Sequence, residues 1–199
     1  MLSIGVDLGK MRDPSTIAIV RRPETVMRTA TMRPYTVVSE RRSGLAALVY
    51  LEKIRLGTSY VDVVERIRQV ARHEALGNEK RRVVVDATGV GAPVVDMLRR
   101  VKLGCELRPL TITAGTGERY SSGTYYVSKI DLMAGLRTCM ELKGLEFGEG
   151  LREWKEFRKQ MLGFGGAAKD DLVLAVALAV WGAKVATIFG EKSDGILVG

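Results

Sequence analysis

The chain has 199 residues, 46% of them apolar, and its 31 Lys+Arg against 23 Asp+Glu give a net charge of +8. That length and apolar content suit one domain with a sizeable core and no disulfide scaffold. His73 is the only histidine, and Cys105 and Cys139 lack CxxC spacing, which disfavours zinc sites and Ser-His-Asp hydrolysis. The two cysteines read as reduced core thiols of a cytoplasmic protein. The basic excess points to a polyanionic partner, because neutralised phosphates release condensed counterions. The longest apolar run, Leu172 to Ala183, falls short of the ~20 residues that span a bilayer. The start of the chain lacks the basic region of a signal peptide, so no membrane association is expected.

Leu2, Ile4, Val6 and Leu8 alternate with Ser3, Gly5, Asp7 and Gly9, the period of a strand. A turn over 9–15, carrying Asp13-Pro14, leads to a second strand at Thr16–Arg21 and so to an antiparallel hairpin. Tyr35–Glu40 is a candidate third strand, and Leu45–Leu56 reads as a strand with a loose start. Tyr60–Leu76 has helical spacing and stops at Gly77-Asn78. Arg82–Ala87, with three consecutive valines, reads as a strand covered on both faces. The Gly-rich turn Thr88–Gly91 opens a helix from about Ala92 to Val101, with Pro93 in its first turn, and Cys105–Thr113 is another strand. Val127–Lys143 and Leu151–Leu162 read as amphipathic helices, Gly163–Ala168 as a flexible link, and Asp171–Ala186 as a buried final helix. Strands first, then β-helix-β, then helices predict an α/β fold with a mixed sheet and flanking helices. The expected organisation is one domain over 1–190 and a frayed tail over 191–199.

Three acids stand at the ends of core elements. Asp7 follows the first strand between Gly5 and Gly9, Asp86 ends the valine strand, and Asp170-Asp171 open the most apolar helix. From Asp171 one helical face carries Ala175, Leu178, Ala179 and Gly182, small enough for close approach to a sheet. Singly, the acids also read as a turn residue, an Asx turn and an N-cap. Two carboxylates about 5 Å apart at an effective dielectric near 20 repel by roughly 3 kcal/mol, so convergence calls for a cation. Carboxylate oxygens without histidine or thiolate select Mg²⁺ or Mn²⁺, and in a basic protein that suggests phosphodiester hydrolysis.

Gly5-Val6-Asp7, Val85-Asp86-Ala87-Thr88-Gly89-Val90-Gly91 and Lys169-Asp170-Asp171-Leu172-Val173-Leu174-Ala175 follow one another in an order that resembles the nuclease domain of the phage terminase large subunit. Gly123–Leu132 is similar to that family's connection into the helix after strand five. The resemblance spans Met1 to Ala186. It implies an RNase H-like (RuvC-like) fold with a mixed five-stranded sheet, the first three strands antiparallel and the rest parallel. It implies that Asp7, Asp86 and Asp171 are catalytic ligands of two Mg²⁺ or Mn²⁺ ions, with Asp170 the alternative third ligand. Asp13 stands as an outlying candidate for a second ion or a bound water. Lys129 and Arg119 are candidates for contact with the DNA backbone. Arg152, Lys155, Arg158 and Lys159, with Arg41-Arg42 and Arg81-Arg82, are candidates for phosphate contact that read equally well as solvated faces.

The function expected is a metal-dependent DNA endonuclease that cuts concatemeric phage genomes during packaging in the host cytoplasm. Its expected partners are double-stranded DNA, the terminase ATPase domain, the portal and the small terminase. No GxxxxGK[ST] occurs, so no ATPase domain is expected within this chain, whether it is an excised domain or a separate polypeptide. The alternatives are a Holliday-junction resolvase of the same fold and a non-catalytic DNA-binding or motor-docking module.

Overall fold

A computed structural model of the chain describes residues 1–9, 13–22, 24–32, 35–43, 45–89, 91–163, 170–184 and 196–198; of 24–32, 35–43 and 196–198 only the backbone is described. Its elements are β1 (Leu2–Asp7), β2 (Thr16–Arg21), β3 (Glu24–Met32), β4 (Tyr35–Ser43), β5 (Ala46–Lys53), α1 (Tyr60–Ala71), β6 (Arg81–Asp86), α2 (Gly91–Arg100), β7 (Glu106–Thr113), β8 (Glu118–Ser121), β9 (Thr124–Ser128), α3 (Lys129–Glu141), β10 (Leu145–Phe147), α4 (Trp154–Leu162), α5 (Asp171–Ala183) and β11 (Ile196–Val198).

The central sheet has the order β10-β5-β2-β1-β6-β7-β9-β8. Its core is the expected mixed set of five: β1, β2 and β5 pair antiparallel, and β6 and β7 continue parallel to β1. The third core strand is β5, which falls within Leu45–Leu56. Tyr35–Glu40 is also extended, but it lies in β4, which pairs with β3 and β11 in a separate three-stranded sheet. Strand propensity marks a segment as extended without saying which sheet receives it. Ile196–Val198 belongs to that second sheet, whereas the sequence leaves the tail frayed. The link at 164–168 lies outside the described residues.

The stretch expected to connect strand five to a helix holds a strand of its own. Ser122 and Gly123 have φ of 49° and 77°, the left-handed pair that closes a tight hairpin between β8 and β9. β9 then pairs parallel with β7. Ser128 caps α3, its Oγ accepting the Asp131 N–H at 2.9 Å, so the helix begins two residues after Val127.

Period-two alternation divides the core strands between two apolar layers. Leu2, Ile4 and Val6 pack with Val63, Ile67, Val94 and Leu98 of α1 and α2. Ala18, Val20 and Val84 pack with α5 on the other side. Ser3, Gly5 and Asp7 lie on that α5 face of β1. A Cβ on Gly5 would stand 2.1 Å from the Ala175 carbonyl oxygen and 2.5 Å from the Ala179 nitrogen, and one on Gly182 would stand 2.2 Å from Ser3 Oγ. At Gly5 the helix therefore rests on the strand backbone to backbone, and at Gly182 only the small Ser3 side chain and a Val84 methyl lie between them. Arg82 donates from Nη1 to the Gly182 carbonyl at 3.0 Å, placing a cation at the C-terminal end of α5, where the helix dipole favours it.

Gly5→Ala forces backbone apart from backbone and is expected to cost about 3 kcal/mol or more, lowering Tm by roughly 6–12 °C. Thermal denaturation of the variant checks this, and an unchanged Tm would refute the contact.

Candidate active site

Strand register brings Asp7 and Asp86 together. β1 and β6 run parallel with Val6 opposite Val85, so the two acids are the next residues at the same end of adjacent strands. Asp7 follows Gly5 and Asp86 follows Val84 on the α5 face. Gly91 lets α2 begin directly over β6, since a Cβ there would stand 2.3 Å from the Asp86 carbonyl oxygen. Asp86 Oδ1 accepts the Thr88 N–H at 2.8 Å, an Asx turn that orients the carboxylate while the chain reverses into α2.

Asp171 arrives from the helix. Gly182 meets Ser3 and the Ala175–Ala179 pair meets Gly5, so one further helical turn toward the N-terminus brings Asp171 to the level of Asp7. The arithmetic works because four helical residues rise about 6.0 Å and two strand residues about 6.6 Å. The Thr16 hydroxyl, on the same sheet face and opposite Asp7 in register, donates to the Asp171 carbonyl at 2.9 Å. Asp171 Oδ2 is buried.

Asp7 is 9% exposed, and its carboxyl is held well above the usual carboxylate range. Burial is the largest cause, followed by the negative charges of Asp86, Asp171 and Asp170; the Lys129 ammonium acts in the opposite direction. The four acids proposed from sequence are thus one electrostatic group, and Lys129 belongs to it. Lys129 Nζ stands 2.6 Å from Asp170 Oδ2. This separates the two neighbouring acids: Asp170 is the N-cap residue of α5 with its carboxylate on Lys129, and Asp171 is the first helical residue, turned inward.

The other basic candidates lie elsewhere. Arg152, Lys155, Arg158 and Lys159 are exposed on and just before α4, opposite its buried Phe157 and Gln160. Arg119 is exposed on β8 with its guanidinium 4.3 Å from the centroid of Tyr126. Arg81 and Arg82 are engaged within the chain. Arg81 donates to the carbonyls of Ala71 and Gly77, Arg82 to that of Gly182. The side chains of Arg41 and Arg42 lie outside the described residues. Asp13 lies at the bend before Pro14, its carbonyl packed against Gly9. Sequence reasoning missed Thr16 and Gln160, which hold the first turn of α5; a hydroxyl opposite Asp7 in the hairpin register was the signal for Thr16.

Among the described residues no three His, Cys, Asp or Glu side chains converge where one ion would bond to all of them. The donor set itself is all oxygen, partly buried and self-repelling, which is the chemistry that suits a hard divalent cation.

A raised carboxyl means that the folded state binds a proton the unfolded chain has already lost. Without a cation, stability is therefore expected to fall as pH rises from about 3.9, the ordinary aspartate value, through the raised value of Asp7. Asp7→Asn removes that loss, and in chelator at neutral pH its Tm is expected to exceed wild type by about 2–4 °C per kcal/mol of relieved repulsion. Thermal scans from pH 5 to 8 check both effects, and a lower Tm for the variant would sink the repulsion argument.

No protein-family model matches the chain, and no curated protein matches it by sequence. Solved structures do. The human cytomegalovirus terminase nuclease domain, soaked with manganese and bound to an inhibitor, aligns with a TM-score of 0.56 and 10% identity over 90% of this chain and 81% of that one. A second structure of that domain gives a TM-score of 0.55 and 12% identity over 90% and 82%. At such identity the likeness is one of fold, and the chain has the RNase H-like α/β fold of the terminase nuclease domain.

Proposed function

We propose that this chain is a metal-dependent endodeoxyribonuclease that hydrolyses phosphodiester bonds with two Mg²⁺ or Mn²⁺ ions and cuts concatemeric phage DNA during packaging. One observation carries the reading: Asp7 is buried at the end of β1, and its carboxyl is pushed up by that burial and then by the charges of Asp86 at the end of β6 and of Asp171 and Asp170 at the start of α5. Such a grouping costs stability in an apo protein, and a ligand that neutralises it explains its presence. Asp7, Asp86 and Asp171 would hold the ions. Two such ions, if held there, would supply a lowered pKa for an attacking water and charge stabilisation of the leaving oxygen.

The remaining roles fall to the chain's own charges. Asp170 keeps Lys129 beside the acids, where its ammonium would meet a phosphate oxygen of the cleaved strand. Arg119 and the exposed α4 group Arg152, Lys155, Arg158 and Lys159 would hold the flanking double-stranded DNA through its backbone, with little sequence preference. The proposed nuclease unit is residues 1–190, to whose second sheet β11 adds Ile196–Val198, and the terminase ATPase domain, portal and small terminase are its proposed partners. The manganese-soaked terminase structures support a divalent cation for this fold.

Supercoiled-plasmid cleavage with Mg²⁺, then Mn²⁺, tests the proposal. Wild type is expected to nick and linearise the plasmid. Asp7→Asn, Asp86→Asn and Asp171→Asn are each expected to lose at least about a hundredfold, since outer partners of a ligand already cost 10–100-fold. Asp170→Asn, which loosens Lys129 without removing a ligand, is expected to lose less than any of the three. Full cleavage by all three ligand variants would sink the reading, strong preference for four-way junctions would replace genome cutting by junction resolution, and DNA binding without cleavage under any divalent ion would leave a binding module.

A further inference from the structure

Gln160 is buried, 3% exposed, in a helix whose opposite face is a row of cations. Its side chain reaches out of α4 to the start of α5, where Oε1 accepts the Leu172 N–H at 3.0 Å. On its other side Nε2 donates to Glu156 Oε1 at 3.4 Å. The two partners fix the amide's orientation, since an N–H requires the oxygen and a carboxylate requires the NH₂.

The N–H taken by Gln160 matters. Asp170 is the N-cap residue of α5 and Leu172 its second helical residue, the donor that an N-cap aspartate ordinarily accepts. Asp170 makes no side-chain cap bond; its carboxylate goes to Lys129. A residue twelve positions removed on a neighbouring helix does the capping instead. We infer that Gln160 is a positioning residue: by capping α5 from outside, it leaves Asp170 on Lys129 and holds Asp171 toward Asp7. Without Gln160, Asp170 turns back to cap its own helix, Lys129 loses its partner, and the first turn of α5 re-aims Asp171. Thr16, bonded to the Asp171 carbonyl, secures the other side of the same turn. The inference rests on the reading of Asp7, Asp86 and Asp171 as cation ligands.

The test uses Gln160→Met, which keeps length and removes the acceptor, and the exchange variant Glu156→Gln/Gln160→Glu, which keeps an acceptor for Leu172 and an amide–carboxylate pair. Mn²⁺ affinity is read by paramagnetic resonance titration without DNA, beside hydrogen exchange at the Leu172 amide. Gln160→Met is expected to weaken Mn²⁺ binding about tenfold and to speed Leu172 exchange, with the exchange variant restoring both. A role in stability alone would lower Tm in Gln160→Met and leave Mn²⁺ affinity unmoved, which would overturn the inference. So would Leu172 exchange as slow as in wild type, or an exchange variant as weak as Gln160→Met. If wild type itself binds no Mn²⁺, the ligand reading of the acids fails, and positioning for a cation fails with it; Leu172 exchange then decides the cap by itself.

Discussion

Everything at the site depends on how closely α5 lies on β1. Helices ordinarily stand about 10 Å from a sheet because two layers of side chains separate them. Here Gly5 faces the backbone of Ala175 and Ala179, and Gly182 faces the Ser3 hydroxyl and a Val84 methyl, so the spacing is set by main-chain atoms at one point and by a single layer of small side chains at the other. That contact fixes the helix along the strand as well as above it. Gly182 on Ser3 and Ala175 on Gly5 act as two pegs, and the next position along both elements pairs Asp171 with Asp7. Larger residues at these pegs would lift the helix and separate the acids, even with every acid still in place. Arg82 at one end of α5 and Thr16 with Gln160 at the other keep it from sliding.

The charges are arranged against local preference, which indicates what they are for. Asp7 is an aspartate at the end of a strand that is otherwise buried throughout, and burial alone opposes its ionisation. Asp171 opens a helix, whose N-terminal turn favours negative charge, but its Oδ2 is buried as well. Lys129 begins α3, where the same dipole disfavours a cation by about 0.3–1 kcal/mol. Its pairing with Asp170 and the field of the acids offset that cost. Lys129 sits poorly with its own helix and well with its neighbours, as expected of a residue placed for the site.

Much of this was legible in the sequence. Period-two alternation in Leu2–Leu8 announces a strand with Ser3, Gly5 and Asp7 on one face, and the spacing of Asp171, Ala175, Ala179 and Gly182 announces the helical stripe that meets it. Both patterns are local and repeat within one element, so they survive without knowledge of the fold. What was not legible depends on partners distant in the chain. Tyr35–Glu40 is as strand-like as Ala46–Lys53, and only pairing assigns them to different sheets. Arg81-Arg82 reads as a phosphate contact or a solvated face, and its bonds to the carbonyls of Ala71, Gly77 and Gly182 come from elements far apart in the chain. The different surroundings of Asp170 and Asp171 depend on a lysine 41 positions from Asp170.

The same physics accounts for a fold that is shared at 10–12% identity and matched by no family model. Few of the described positions are held to one residue type by geometry. Gly5, Gly9 and Gly91 are, because a Cβ at each would meet a main-chain atom within 2.5 Å, and Gly182 is hemmed in by the Ser3 and Val84 side chains. The valines of β6 and the leucines and alanines of α5 need only be apolar and fill volume, and cores accept such exchanges for less than about 1.5 kcal/mol when size is conserved. Three acids at the ends of three elements add little to a sequence score. A fold of this kind therefore stays recognisable in space long after its sequence has drifted, and the positions with least steric room for another residue in this chain include the Gly5 contact that brings α5 down onto β1.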